Sequence, residues 1–274
     1  MLIRYIASLI FRVLVLLLIL WAYIKQPHYF DIIVTKTTQL QMEVQGFELS
    51  EIKRIWENQY SIIWVYAVWA LFMGQMLFRM FRANSIFSMG GKKVFKYHYQ
   101  PVEGYDELKL YKELSKSNVR AYTVLLVWLF FNAIFGVLYI FDFIQIKELV
   151  LLTAFYYVCD NVCIVIWCPF QRFIVKNRCC VNCRIFNWGY LMMFTPFLFI
   201  RNFFTWSIFF MSLVLVLRWE ITLQLHPERF WDGSNEVLKC ENCTDKICTI
   251  KGRKIFDDEG NFIKTTGRIG NHNE

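Results

Sequence analysis

Residues 121–141, AYTVLLVWLFFNAIFGVLYIF, contain no charged side chain, and that stretch constrains the fold more than any other feature. A helix that is apolar all round offers no face to water, so it needs the core of a large protein or a bilayer. At 1.5 Å rise per residue, about twenty apolar residues cross a hydrocarbon layer about 30 Å thick. Comparable stretches lie at 5–24, 60–78, 149–168 and 190–217. The expected fold is therefore all-α: a polytopic integral membrane bundle, residues 1–218, followed by a small Cys-rich tail, 219–274. Composition agrees, since 57% of residues are hydrophobic, above the roughly 45–50% of soluble domains.

The first stretch has an early cation and an apolar centre like a signal peptide. Trp21, Tyr23, Lys25 and Gln26 follow it instead of small cleavable residues, so it reads as a retained anchor. Between the second and third stretches, Arg79, Arg82, Lys92, Lys93, Lys96, Lys109, Lys112, Lys116 and Arg120 outnumber Glu103, Asp106, Glu107 and Glu113. By the positive-inside rule that connector is cytoplasmic. Arg172, Lys176, Arg178 and Arg184 give the connector after the fourth stretch the same sign, with no acid among them. Alternation then puts the N terminus inside, most simply in the plasma membrane. The formal charge of +8 is read as orientation and contact with anionic lipid or a protein partner; no nucleic acid is expected.

Within the first basic connector, YDELKLYKELSKS has Asp106 placed to cap a helix with Leu108, Tyr111 and Leu114 on one face, expected to lie along the membrane surface. Ser50 is a candidate cap for a lead-in to the second stretch. Residues 190–217 are long for one span and hold Pro196 and the pair Arg201-Asn202. One tilted helix would carry the tail outside, whereas a hairpin turning at Arg201-Asn202 would return it to the cytoplasm. In the tail, residues 254–265 read as a β-hairpin with a turn rich in Asp, Gly and Asn. Those acids lack the alternating spacing of a calcium loop.

Nine cysteines cannot pair completely with one another. Cys180 and Cys183 form one C-x-x-C, Cys240 and Cys243 another, with Cys179 and Cys248 adjacent. Two such pairs suit a tetrahedral zinc site, because each turn directs two thiolates at one ion. Neighbouring cations favour thiolate over thiol. The expected ligands are Cys180, Cys183, Cys240 and Cys243, with Cys179 and Cys248 as alternates. An iron–sulfur cluster or dithiol chemistry is the redox alternative, and unligated thiols packing as small hydrophobes the plain one. One ion can join both pairs only if the tail returns to the connector's side, which favours the hairpin. His226 reads as an interfacial residue outside the ligand set, and Cys159 and Cys163 as packing residues on one helix face.

Asp160 falls roughly 12 Å inside the fourth stretch, and Arg201 roughly 16 Å beyond Tyr190. An ionisable group at such depth normally finds a partner. Arg201 is one candidate partner and Arg12 its rival, with Asn132, Asn161 and Asn202 adding hydrogen-bonding capacity. Such a layer suits a structural ion pair, a headgroup pocket or a transport path. Nucleotide-binding, serine-hydrolase and zinc-protease signatures are absent, which leaves enzymatic activity open. The function read from the residues is a membrane-embedded binding or scaffold component with a cytoplasmic metal-thiolate site. A membrane oxidoreductase using these thiols and a small transporter centred on Asp160 and Arg201 are the alternatives.

Overall fold

A computed structural model describes residues 2–25, 60–81, 93, 95–177, 180, 182–243, 247 and 248, together with the backbone of 253–256 and 262–266. Helices α1 (Leu2–Lys25), α2 (Tyr60–Phe81), α3 (Glu107–Ile140), α4 (Ile146–Val165), α5 (Gly189–Phe194) and α6 (Phe203–Leu225) build the body. Four of them, α1, α3, α4 and α6, are long and apolar enough to cross a membrane. Strands β1 (Arg253–Phe256) and β2 (Phe262–Thr266) pair antiparallel in the tail, one residue beyond each end of the stretch 254–265 read as a hairpin. The turn joining them, Ser50 with its lead-in, Arg178 and Cys179 lie outside the described residues.

Contacts along α1 set its direction. Tyr5 accepts from Asn161, Arg12 meets Asp160, and Tyr23 donates to Glu148, so α1 runs antiparallel to α4. Residues 5, 12 and 23 of α1 meet 161, 160 and 148 of α4 in reverse order, as two antiparallel partners require. Glu148 also accepts from the backbone N–H of Gln145 at 2.7 Å, which closes the first turn of α4.

Asp106 caps α3 as the sequence indicates, accepting from the backbone N–H of Lys109 at 3.2 Å. The helix does not then lie along a membrane surface. It continues unbroken for 34 residues, roughly 51 Å at helical rise, because no Gly or Pro interrupts the run between Glu107 and Phe135. That length exceeds a hydrocarbon layer by several turns, so the charged first part projects beyond the apolar part.

Residues 190–217 form two pieces. A first arm combines a 3₁₀ segment (Arg184–Trp188), α5 and a second 3₁₀ segment (Thr195–Phe199). Pro196 starts that second segment, where its missing N–H leaves no bond unmade. The chain turns at Ile200 to Asn202, and the Asn202 side chain caps α6 by accepting from Phe204 N–H at 2.9 Å. Arg184 at the start of the arm bonds Glu220 near the end of α6, while Trp206 near its start donates to Leu198. The two pieces are therefore antiparallel. Gly136 of α3 admits the arm closely, since a Cβ there would lie 2.5 Å from the Phe199 ring.

The returning α6 brings the tail back beside both basic connectors. Val102 N–H donates to Ser234 O, and Glu236 N–H to Gln100 O, at 3.1 and 2.9 Å. Asn235 is fully buried between them; its side chain accepts from Gln100 and Val237 N–H and donates to Arg229 O. A core of Ala121, Val124, Val175, Cys183, Ile185, Trp188, Val216 and Trp219 closes this end of the bundle.

Candidate functional site

Two polar assemblies occupy the end of the bundle where the first turns of α1, the connectors and the tail meet. The first is the thiol cluster. Cys183 N–H donates to Cys180 O at 3.1 Å, and Cys243 N–H to Cys240 O at 3.3 Å, so both C-x-x-C elements close the same i to i+3 turn. Each also has Asn in its third position. Asn182 donates to Asp232 of the tail at 2.9 Å, and Asn242 to Glu236 O at 3.0 Å. Cys180 lies in one buried cluster with Leu238 and Ile247, against which Cys243 and Tyr5 pack.

Cys183 is buried, and that burial, with the neighbouring Cys180 and Cys168 sulfurs, pushes its thiol up to about 12. The Lys93 ammonium, itself only 2% exposed, pulls the other way without prevailing. The cations around this connector therefore do not make Cys183 a thiolate by themselves. Desolvation outweighs them, because a charged sulfur in an apolar core loses its water entirely. Cys240 is exposed and Cys248 half-buried. Among the described residues, no group of three or more His, Cys, Asp or Glu side chains is arranged to hold a metal ion. His226 sits apart, 3.2 Å from Glu228. Cys168, which the sequence spacing does not single out, belongs with the other two sulfurs because the turn Phe170–Val175 folds the connector back on itself; Gln171 N–H donates to its sulfur at 3.4 Å.

The second assembly is a cavity of about 240 Å³ between α1, α2, α4 and the start of the hairpin arm. Arg4, Arg12, Arg79, Asp160, Asn187 and Tyr190 supply its polar lining. Of the two candidate partners for Asp160, Arg12 is the one that meets it, at 2.7 Å; the same nitrogen donates to Tyr157 O, and the guanidinium lies 4.2 Å from the Tyr157 ring centroid. Arg201 is exposed at the turn of the hairpin, roughly 20 Å of helical rise from Gly189. It does not reach Asp160, because the arm carries it to the opposite end of the bundle. Asn202 is spent on its cap, and Asn132 accepts from Tyr156 at 3.3 Å well away from the cavity. Asn161 borders the cavity and holds Tyr5 O.

Gly189 leaves room for the carboxylate, since a Cβ there would stand 2.5 Å from Asp160 Oδ1. Arg79 stacks its guanidinium 4.6 Å from the Tyr190 ring, whose hydroxyl donates to Gln75 at 3.1 Å. Neither Arg79 nor its ring partner stands out in the sequence as part of a site; the signal was the cation's position at the end of an apolar stretch. A third pair went unread as well: Arg184, 5% exposed at its side chain, bonds Glu220 at 2.5 Å, and Trp188 shares that carboxylate at 2.9 Å. Comparison with protein-family models, curated proteins and solved structures finds no match for this chain.

Proposed function

We propose that this chain is a membrane-embedded binding or scaffold component, in the plasma membrane with its N terminus and both thiol turns in the cytoplasm. Its second basic connector is clamped to its tail by a zinc-thiolate site drawn from Cys180, Cys183, Cys240 and Cys243. The observation carrying this reading is the shared cluster of Cys180 and Cys243 with Leu238 and Ile247. It is supported by the matching turns and by the Asn182 bond to Asp232. A divalent ion would hold Cys183 as thiolate, reversing the effect of burial, and would draw in Cys240 from the surface. The excess of Lys and Arg in both connectors supports the cytoplasmic side.

Metal analysis of the purified protein with a visible spectrum tests the clamp, repeated on Cys180→Ser and Cys243→Ser. Stoichiometric colourless zinc, lost equally from both variants, is the expected result. Metal retained in both variants, or no metal in the wild type, rejects it. Iron with visible absorption would assign the thiols to redox chemistry instead.

A further inference from the structure

The cavity beside Asp160 uses no cysteine. We infer that it takes the headgroup of a monoanionic, hydroxylated glycerophospholipid, the class of phosphatidylglycerol and phosphatidylinositol, with its phosphodiester on Arg79 and a head hydroxyl on Asp160. This rests on the reading of the chain as a membrane-embedded binding component and names its ligand class. The clamp stands on other residues, so a lost lipid response and lost metal are separate results.

The charges define the ligand. Arg12 and Asp160 are paired at 2.7 Å and cancel. Arg4 at the mouth has an interaction of its own and does not enter the balance. Arg79 remains: its guanidinium lies over the Tyr190 ring and meets no carboxylate among the described residues. One cation beside a neutral pair is the complement of one negative charge. A guanidinium held over a ring is fixed in place while its N–H fork stays available, and that fork matches two oxygens of a phosphate.

Asp160 supplies the second anchor. Arg12 takes its Oδ2, while Oδ1 accepts from no described residue. Oδ1 lies beside the space that Gly189 leaves by having no Cβ, and the side chain, 28% exposed, lines the cavity. An acceptor in that position calls for an O–H or N–H donor. An ammonium head would bring a further cation against Arg12, whereas a hydroxyl bonds the oxygen without adding charge. Ser8 and Asn187 line the same space and extend the hydrogen bonding open to a polyol. Gly189 adjoins Asp160, and Tyr190, the next residue, carries Arg79, so both anchors lie at one level of the bundle.

Position selects a lipid over a soluble diester. Arg79 stands in the last turn of α2, the end of an apolar helix, and basic pockets at that level take phosphorylated heads. Around it Leu77, Phe78 and Phe81 are exposed, an apolar surface on which acyl chains can lie. α1 packs on α4 and α2 on α6, which leaves the side of the cavity between α1 and α2 for a head to enter from the bilayer. The volume, about 240 Å³, suits a headgroup rather than a drug-sized ligand, for which about 300–1,000 Å³ is usual.

The test uses the full chain in phosphatidylcholine nanodiscs, with thermal unfolding followed by tryptophan fluorescence. Phosphatidylglycerol, phosphatidylserine or phosphatidylethanolamine enters separate bilayers at equal fraction, and soluble glycerophosphoglycerol the buffer of a fourth sample. Phosphatidylglycerol should raise the melting temperature most, because a ligand of the folded state stabilises it. Arg79→Gln should weaken that response by about tenfold in lipid fraction, the loss of one charge-assisted contact. Arg79→Lys keeps the charge and loses the fork; it should also respond less than wild type, and it reads the site if the Gln variant does not fold. A rise with phosphatidylglycerol no larger than with phosphatidylserine or phosphatidylethanolamine would overturn the hydroxylated head. No rise at all, a response to the soluble diester without one to the lipid, or an undiminished response in either variant would overturn the site.

Discussion

At the scale of single residues, the decisive feature is how each buried charge is answered. Glu220 accepts from both Arg184 and Trp188, and Arg184 retains two buried nitrogens, Nε and Nη1, that bond no described residue. Removing the carboxylate leaves the guanidinium buried and uncompensated, which typically costs 3–5 kcal/mol. Glu220→Gln should therefore lower unfolding stability by about 3 kcal/mol, the low end because Glu220 keeps some contact with water. Glu220→Leu combined with Arg184→Met should recover most of that loss; a double variant as unstable as the single would refute this account of the pair. Cys183 gives a prediction in pH. Its folded thiol titrates near 12, above the ordinary value of about 8.5. In chelator-treated protein this group contributes stability in full below about pH 8.5, and loses it progressively as pH rises toward 12. Alkaline melting curves of wild type should fall more steeply than those of Cys183→Ala, and parallel curves would refute the assignment. Neighbouring cations favour a thiolate here, and the weight against them is one no spacing shows: the connector buries the sulfur beside two others.

At the scale of elements, the hairpin arm is the piece that packing defines. Its 3₁₀ and α segments are individually too short to persist, so their order comes from α3, α4 and α6 around them. Gly136 of α3 marks one of these close approaches. Gly136→Ala should destabilise by about 1–3 kcal/mol through its collision with Phe199, and Phe199→Leu in the same chain should relieve much of it. Equal stability of Gly136→Ala and wild type, by chemical denaturation in detergent, would show that the ring swings aside freely. The apolar stretches made the spanning helices legible, because hydropathy over twenty residues needs no knowledge of neighbours. Asp106 and the tail strands were legible too, from local capping and turn chemistry. The break at Ile200 to Asn202 was only half legible: Pro196 and Asn202 mark it, but whether two pieces fold back depends on what Arg184 finds at Glu220. The surface helix was misread because its amphipathic face continues into the span with no residue to stop it, and amphipathicity alone does not distinguish lying flat from projecting.

At the scale of the whole molecule, one end gathers both polar assemblies described above. Tyr5, the segment around Pro101, the thiol connector and the tail all meet there, through the Cys180 cluster and the bonds of Ser234, Asn235 and Glu236. No sequence rule joins residues 100 and 235; backbone pairing across that distance becomes visible only once α6 has returned the chain. Asp160 was legible as a residue needing a partner, but the choice between Arg12 and Arg201 required knowing which helix lies against α4. Because these parts share one end, their sidedness is a single fact, and one thiol can report it. Cys240 is the exposed cysteine among those described, while Cys180 and Cys183 are buried. A membrane-impermeant maleimide added to intact cells should leave the protein unlabelled, then label it after permeabilisation, with the signal largely lost in Cys240→Ser. Labelling of Cys240 in intact cells would turn the whole end outward, α1's first turn and both basic connectors with it. Such an inversion would set the Lys and Arg residues of both basic connectors against the rule that orients them, and would place the thiols in an oxidising medium where disulfides displace metal.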